Sequence, residues 1–136
     1  MIKQALYFAY GSNLDTEQMK LRCPAARKVG PATIKGHRLT FRHVADIVPD
    51  PDQEVQGGLW TITTECLEAL DAYEGYPRLY TREWIAVTTP DGQERKALVY
   101  KMNGGRFAPP SEGYLRTIAR GYRDFELDFG RLMDGY

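Results

Sequence analysis

The chain has 136 residues, of which 18 are basic and 18 acidic, so its formal net charge is zero. That balance argues against nucleic acid or a membrane surface as a main partner. The length suits a single domain over residues 1–136, with 43 % hydrophobic residues to bury a core. No apolar run approaches the roughly 20 residues that span a bilayer, and the N-terminus lacks a signal-peptide layout. We therefore expect a soluble cytoplasmic protein.

The first predicted elements are a strand and a helix. Residues 5–10 are dense in Leu, Tyr and Phe, which is typical of a buried strand. A helix begins after Asp15, which is a good N-cap, and Gln18 follows three residues later as in a capping box. Pro24 limits the other end of this helix.

Two further strands are predicted before the middle of the chain. Residues 36–44 alternate apolar and polar side chains, as a half-buried strand does. The prolines and aspartates of VPDPDQ at 48–53 predict a turn or loop. Residues 55–62 form the second strand, whose paired glycines indicate a bulge or a close backbone approach.

The second half predicts a helix over 64–74, then strands over 84–89 and 96–102 joined by an Asp-Gly turn. An amphipathic helix follows the N-cap Ser111, and a short one follows Asp128. The order of elements favours an α+β fold with a small mixed or antiparallel sheet. A sheet of this size with glycines at its bends can close into a barrel.

The cysteines and histidines do not favour a metal site. Cys23 and Cys66 lie too far apart for a metal motif, and we expect two reduced thiols. Neither His37 nor His43 has an acidic or cysteine partner at metal-ligand spacing. The sequence also lacks the G-x-S-x-G elbow of a serine hydrolase.

The stretch YFAYGSNL at 7–14 ends a strand abruptly in three small residues. Gly11 permits a sharp turn, and Ser12 and Asn13 can bond the local backbone. The turn leads into a helix N-terminus, whose free N–H groups suit a carboxylate or phosphate. The pattern matches neither a P-loop nor G-x-G-x-x-G, and a purely structural turn is the alternative.

Glu74 breaks the pattern of its own helix. With Leu67 and Leu70 it falls at i, i+3 and i+7, on the face that should meet the core. Burial, and its position in the last helical turn, should both raise its pKa, as a general acid or base near neutrality requires. In the alternative, the helix end frays and Glu74 points to water, and Asp71 could share the same face.

Five stretches of the sequence resemble the γ-glutamylcyclotransferase family, in the family's order. They are YFAYGSNL at 7–14, GGLW at 57–60, LDAYEGYP at 70–77, LYTREWIAV from 79 and APPSEGY at 108–114. The likeness runs from about residue 6 to about residue 125. The combination of YFAYGSNL with LDxxEG some 60 residues later is specific.

The resemblance implies a small β-barrel with helices packed outside it, and a reaction that uses no metal, nucleotide or other cofactor. The free amine of a γ-glutamyl compound attacks its own γ-carbonyl, which yields 5-oxoproline and a free amine. Glu74 matches the family's catalytic glutamate, as general base and then acid. Backbone N–H groups of residues 11–13 would hold the substrate carboxylate. The residues that match the family's substrate-binding positions are Tyr7, Phe8, Ala9, Tyr10, Gly11, Ser12, Asn13, Leu14, Tyr80 and Tyr114.

The chain departs from the longer animal members of that family in lacking much of their C-terminal extension, and it resembles the compact bacterial versions. Candidate substrates are γ-glutamyl dipeptides, γ-glutamylamines or a γ-glutamyl-protected metabolite, with glutathione ranked lower. Two alternatives are a non-catalytic binding module on the same fold and another amide-forming or amide-cleaving enzyme. A homodimer is possible, since exposed aromatic residues such as Trp84 or Phe107 could form an interface or ordinary surface.

Overall fold

A computed structural model describes residues 4–134, with side chains described as far as residue 132. Five strands close into a barrel in the order β1-β3-β2-β4-β5. The elements are β1 (Ala5–Ala9), a 3₁₀ turn (Ser12–Leu14), α1 (Thr16–Arg22), β2 (Arg27–Arg42), β3 (Val44–Ile62), α2 (Thr64–Glu74), β4 (Tyr80–Thr88), β5 (Glu94–Met102), α3 (Glu112–Asp124) and α4 (Phe129–Asp134).

The barrel is a mixed sheet, which confirms the predicted fold class. Strand β1 is antiparallel to β3 and parallel to β5, where Tyr7 pairs with Leu98. The other neighbouring strands are antiparallel. Because β1 is bonded on both sides, the turn that follows it is held at one end of the barrel. None of the helices in the described part of the chain is long and apolar enough to cross a membrane.

The long hairpin of β2 and β3 differs from the prediction. The predicted loop at 48–53 was wrong, because β3 continues through it as a strand. Its turn residues are accommodated by a shift in register: Lys35 pairs with Glu54, but His37 pairs with Pro49. Residues 50–53 of β3 therefore form a bulge opposite Gly36 alone, whose φ of 76° favours glycine. The sequence analysis missed the first half of β2, because Gly30 and Pro31 are residues typical of a turn and not of a strand interior.

The helices begin and end at the predicted caps, but one predicted capping hydrogen bond is not formed. The Asp15 side chain accepts hydrogen bonds from the backbone of Glu17 and Gln18, as an N-cap does. The reciprocal half of the predicted capping box is not formed, because the Gln18 side chain accepts from Arg22 instead. Gly75 ends α2 in the left-handed conformation, with φ of 72°.

Three glycines permit close packing around the turn after β1. A Cβ on Gly57 would lie 2.4 Å from the Ala9 carbonyl oxygen, and one on Gly58 would lie 2.5 Å from the Phe125 ring. The close approach predicted at these glycines is confirmed. In α3, a Cβ on Gly121 would lie 2.3 Å from the Cβ of Leu14. These contacts fix the turn against both the sheet and α3.

The two glycines of α3 offer a matched test of this packing. Gly121→Ala should lower the free energy of unfolding by roughly 1–3 kcal/mol, because the added methyl group overpacks against Leu14. Gly113 has open space around the same position, so Gly113→Ala should change it by less than about 1 kcal/mol, in the stabilising direction. Urea denaturation of both variants measures the difference. Equal effects would contradict the packing account.

Candidate functional site

A narrow cleft opens where the turn after β1 meets the end of α2. The space inside it is about 20 Å³, close to that of one water molecule, so a larger ligand enters only if side chains at the rim move apart. Its lining is rich in tyrosine and contains one charged residue, Glu74. The lining residues are Tyr7, Phe8, Tyr10, Gly11, Ser12, Asn13, Ala45, Glu74, Tyr80, Tyr100 and Tyr114.

Most of the predicted site residues come together in this cleft. Glu74, Tyr80, Tyr114 and all but two residues of 7–14 line it. Ala9 and Leu14 lie beside the lining: Ala9 pairs with Gly58 in the sheet, and Leu14 is fully buried. The sequence analysis missed Ala45 on β3 and Tyr100 on β5. Their place in the cleft follows from how the strands close into a barrel, which the local sequence does not show.

The turn at the cleft wall is held by close contacts. Gly11 has φ of −119°, so the left-handed conformation is not what requires glycine there. A Cβ would instead lie 3.0 Å from the Tyr114 hydroxyl oxygen and 3.2 Å from the Ala45 Cβ. The indole N–H of Trp60 donates to the Asn13 carbonyl oxygen over 3.1 Å. The turn is therefore fixed from two sides, and glycine is needed for contact with Tyr114.

The predicted anion site at the N-terminus of α1 is wrong. The protein's own carboxylates already occupy its N–H groups. Asp15 accepts from Glu17 and Gln18, and the Asp124 side chain accepts from the Thr16 N–H over 3.1 Å. A substrate carboxylate therefore cannot bind to the end of this helix, whereas residues 11–13 line the cleft.

The Glu74 carboxylate lies in the cleft without a partner. Among residues 4–132 it makes no hydrogen bond or ion pair, although it is largely shielded from water. Burial raises its pKa to about 7, and the positive charge of Arg22 opposes that rise. Near neutral pH the group thus holds or releases a proton readily. The prediction that Glu74 lies on the core-facing side of α2 agrees with this placement, since Leu70 is fully buried.

Three of the cleft tyrosines donate their hydroxyl protons to the protein itself. Tyr10 donates to the Tyr100 carbonyl oxygen over 2.7 Å, and Tyr100 donates to the Asp71 carboxylate over 2.6 Å. Tyr80 donates to the Ala45 carbonyl oxygen over 2.9 Å. These three phenols therefore have only lone pairs left for a ligand.

The other two tyrosines have the opposite polarity. Tyr114 accepts from the Ala45 N–H over 3.0 Å, and Tyr7 accepts from the Asn13 side-chain amide over 3.0 Å. In the described part of the chain, neither hydroxyl donates to a protein acceptor. Burial raises the pKa of both phenols, so they keep their protons. They are therefore two O–H donors available to a ligand in the cleft.

A cation that the sequence analysis did not predict, Arg22, lies behind the cleft wall. Arg22 donates to the Asn13 side-chain oxygen and to Gln18, and its guanidinium lies 3.6 Å from the centre of the Tyr73 ring. The Tyr73 hydroxyl is in turn 2.9 Å from Ser12 Oγ. Arg22 is thus tied to the same turn from outside.

Larger cavities lie along the β2–β3 hairpin. One of about 190 Å³ includes Arg38, Asp50 and Tyr122, and one of about 290 Å³ includes Lys35 and Asp52. The charged residues of these two cavities lie on an accessible hairpin. Unlike the cleft, neither cavity contains a carboxylate that is shielded from water and lacks a protein partner. In the described part of the chain, no three or more His, Cys, Asp and Glu side chains are grouped so that they could hold a metal ion.

Comparison with known proteins gives one consistent result. The family described as gamma-glutamyl cyclotransferase, AIG2-like matches residues 7–122. The gamma-glutamylcyclotransferases of Bos taurus and Homo sapiens are each 33 % identical to this chain over 132 residues, which cover 88 % of this chain and 70 % of the relative. A solved gamma-glutamyl cyclotransferase is similar with a TM-score of 0.88 and 30 % identity, over 97 % of this chain and 86 % of that one. The chain therefore belongs to the gamma-glutamyl cyclotransferase, AIG2-like family.

Proposed function

We propose that this protein converts a γ-glutamyl amide into 5-oxoproline and a free amine, with Glu74 as the proton-transfer group. The observation that carries the proposal is a shielded carboxylate with a pKa of about 7, without a protein partner, in a cleft rich in hydroxyl groups. Family membership supports the reaction type, since the relatives matched across most of this chain are named gamma-glutamylcyclotransferases.

The reaction needs a group that takes up one proton and gives it back. The Glu74 carboxylate accepts a proton from the substrate's α-ammonium group. The freed amine nitrogen attacks the γ-carbonyl carbon, a new C–N bond closes the five-membered ring, and the carbonyl oxygen gains negative charge. When the old C–N bond breaks, the neutral Glu74 carboxyl donates its proton to the leaving nitrogen. The ring nitrogen still carries one extra proton, which Glu74, a carboxylate again, accepts and passes to the released amine. The products are 5-oxoproline and an ammonium ion, and Glu74 ends as it began.

The cleft supplies donors and acceptors of the kinds that this reaction uses. The O–H groups of Tyr7 and Tyr114 can bond the carbonyl oxygen as it becomes negative. The backbone N–H groups of Gly11 and Asn13 are then left to hold the α-carboxylate, because the N-terminus of α1 is occupied and the Ser12 N–H donates to the Tyr114 hydroxyl oxygen. Since the substrate reacts with itself, folding it into the cyclising conformation is a large part of the rate enhancement.

We infer that the leaving amine belongs to a small γ-glutamyl dipeptide, a γ-glutamylamine or a protected metabolite. Apart from Glu74, the cleft lining is neutral. It therefore contains no cation that would select a leaving amine with a negative charge. The second candidate is a module that binds such a ligand without turnover. The partnerless Glu74 argues against it, because binding alone does not require a shielded carboxylate of raised pKa.

The reaction is tested by a product screen. Wild-type protein incubated with γ-glutamyl dipeptides and γ-glutamylamines should release 5-oxoproline, detected by mass spectrometry. Glu74→Gln should lower kcat roughly 10²- to 10⁴-fold, the usual contribution of a positioned acid or base. Glu68→Gln, at an exposed position of the same helix, is the matched control and should retain wild-type turnover. Undiminished product from Glu74→Gln would refute the role of Glu74.

The pH dependence of the reaction gives a second test. If Glu74 must be ionised to accept the proton, kcat/KM should fall below pH 7, because the pKa of this group in the free protein is about 7. The slope should approach a tenfold loss per pH unit. An acidic limb near pH 4.5, the range of an ordinary exposed glutamate, would contradict the assignment.

The raised pKa also predicts an effect on stability. Burial raises the folded-state pKa of Glu74 from 4.5 to about 7, so between these values the folded chain binds a proton that the unfolded chain releases. Stability contributed by the neutral carboxyl is thus present below pH 4.5 and lost as the pH rises through 7. Glu74→Gln should therefore exceed wild type in free energy of unfolding at pH 8, by on the order of 1–2 kcal/mol.

The two proteins should differ little at pH 4, where both side chains are neutral. Urea denaturation at the two pH values gives the comparison. A Glu74→Gln variant that is less stable than wild type at pH 8 would mean that the carboxylate is stabilised by its surroundings.

A further inference from the structure

Two hydrogen bonds connect the outer face of α1 to the cleft. Arg22 Nη1 donates to Asn13 Oδ1, and Asn13 Nδ2 donates to the Tyr7 hydroxyl oxygen over 3.0 Å. The Tyr7 proton has no acceptor among the described residues. Arg22 does not line the cleft, so its hydrogen bonds reach a ligand there only through Asn13 and Tyr7.

The chemistry of each group fixes the direction of this chain of bonds. A guanidinium has only N–H donors, so the Asn13 atom that it contacts must be the amide oxygen. The NH₂ group of the same amide then faces Tyr7. Because NH₂ is a donor, the Tyr7 oxygen must accept, and its own proton stays free. If Asn13 were reversed, its oxygen would take the Tyr7 proton away from the cleft.

Arg22 and Asn13, the first two groups in this series of hydrogen bonds, are both held in place. Arg22 also donates to Gln18 Oε1 over 2.7 Å and lies over the Tyr73 ring at 3.6 Å. Asn13 is 4 % exposed, and its backbone oxygen accepts from Trp60. A side chain so enclosed turns over only if the partner that selects its orientation is lost.

We propose that Arg22 is a positioning residue, which acts through Asn13 to direct the Tyr7 hydroxyl proton at the γ-carbonyl oxygen of the substrate. The proposal rests on the proposed function for its substrate, and the polarity of the bonds themselves does not depend on any substrate.

Arg22 has a second influence, which the test must separate from the first. Its positive charge holds the pKa of Glu74 below the value that burial alone would give. The other titratable groups facing Glu74 are neutral phenols: Tyr7 on β1, Tyr10 just after it, Tyr80 on β4, Tyr100 on β5 and Tyr114 on α3. Removal of the Arg22 charge therefore moves the acidic limb of kcat/KM to higher pH. At pH 9, well above the pKa of about 7, Glu74 is ionised in wild type. A moderate rise of its pKa in an Arg22 variant therefore has less effect on the rate at pH 9 than near neutral pH.

A double-mutant cycle at pH 9 tests the positioning role. Tyr7→Phe should lower kcat roughly 10²-fold, as loss of one oxyanion donor does. Arg22→Met should lower it roughly 10- to 100-fold, the usual effect of losing an orienting partner. Arg22→Met added to Tyr7→Phe should have almost no further effect, because the proton it directs is already gone. Arg22→Lys keeps a donor and a charge and should restore most of the rate.

Losses that multiply in the double variant would overturn the proposal, as would an Arg22→Lys variant no faster than Arg22→Met. A measurement made without substrate tests the role of Arg22 independently of the proposed function. The side-chain amide resonances of Asn13, assigned by their loss in Asn13→Asp, should shift in Arg22→Met and stay in place in Arg22→Lys. Unchanged resonances in Arg22→Met would also overturn it, whereas absence of 5-oxoproline from wild type would count only against the proposed function.

Discussion

The site depends on the Glu74 carboxylate, which is largely shielded from water and has no protein partner among the described residues. The two buried acids of the described residues are compensated. Asp15 pairs with Arg120 and caps α1, and Asp46 pairs with Arg42 and also accepts from a backbone N–H. Glu74 lacks such a compensation within the described residues, and its pKa is correspondingly raised. A shielded, unpaired charge reduces stability, so its presence in a cleft favours a chemical role over a structural one.

The barrel provides the rigid frame that makes this arrangement possible. The turn after β1 begins at a strand bonded on both sides, and α3 packs against it so closely that Gly121 leaves no room for a methyl group. The helix that carries Glu74 ends at the same place. The turn after β1, α2 and α3 thus meet at the cleft, and the protein's own hydrogen bonds set which of the cleft hydroxyl groups keep a proton for a ligand.

Sequence patterns were most informative where the cause of structure is local. Helix caps at Asp15 and Ser111, the end of α2 at Gly75 and the position of Glu74 on an apolar face all follow from neighbouring residues. The segment at 48–53 was misjudged because its prolines and aspartates predict a turn, whereas β3 continues through it as a strand whose pairing with β2 resumes on either side of residues 50–53. The α1 N-terminus was misjudged because Asp124, more than a hundred residues away, occupies it.

The polarity of the tyrosines could not be predicted from sequence for the same reason. Whether a phenol donates or accepts is decided by partners distant in the chain, such as Ala45 for Tyr114 and Tyr100 for Tyr10. A motif identifies which tyrosines lie near the site, and only the three-dimensional hydrogen-bond network separates those that hold the wall together from those that keep a proton for a ligand.

The most direct measurement of the central claim is a titration of the Glu74 carboxyl group itself, by carbon NMR on protein labelled at glutamate, in the buffer series used for kcat/KM. The account predicts that the carboxyl resonance absent from Glu74→Gln titrates with a midpoint of about 7, and that the acidic limb of kcat/KM has the same midpoint. A Glu74 resonance that titrates near pH 4.5, or an activity that does not follow it, would contradict the assignment of Glu74 as the group that moves the proton.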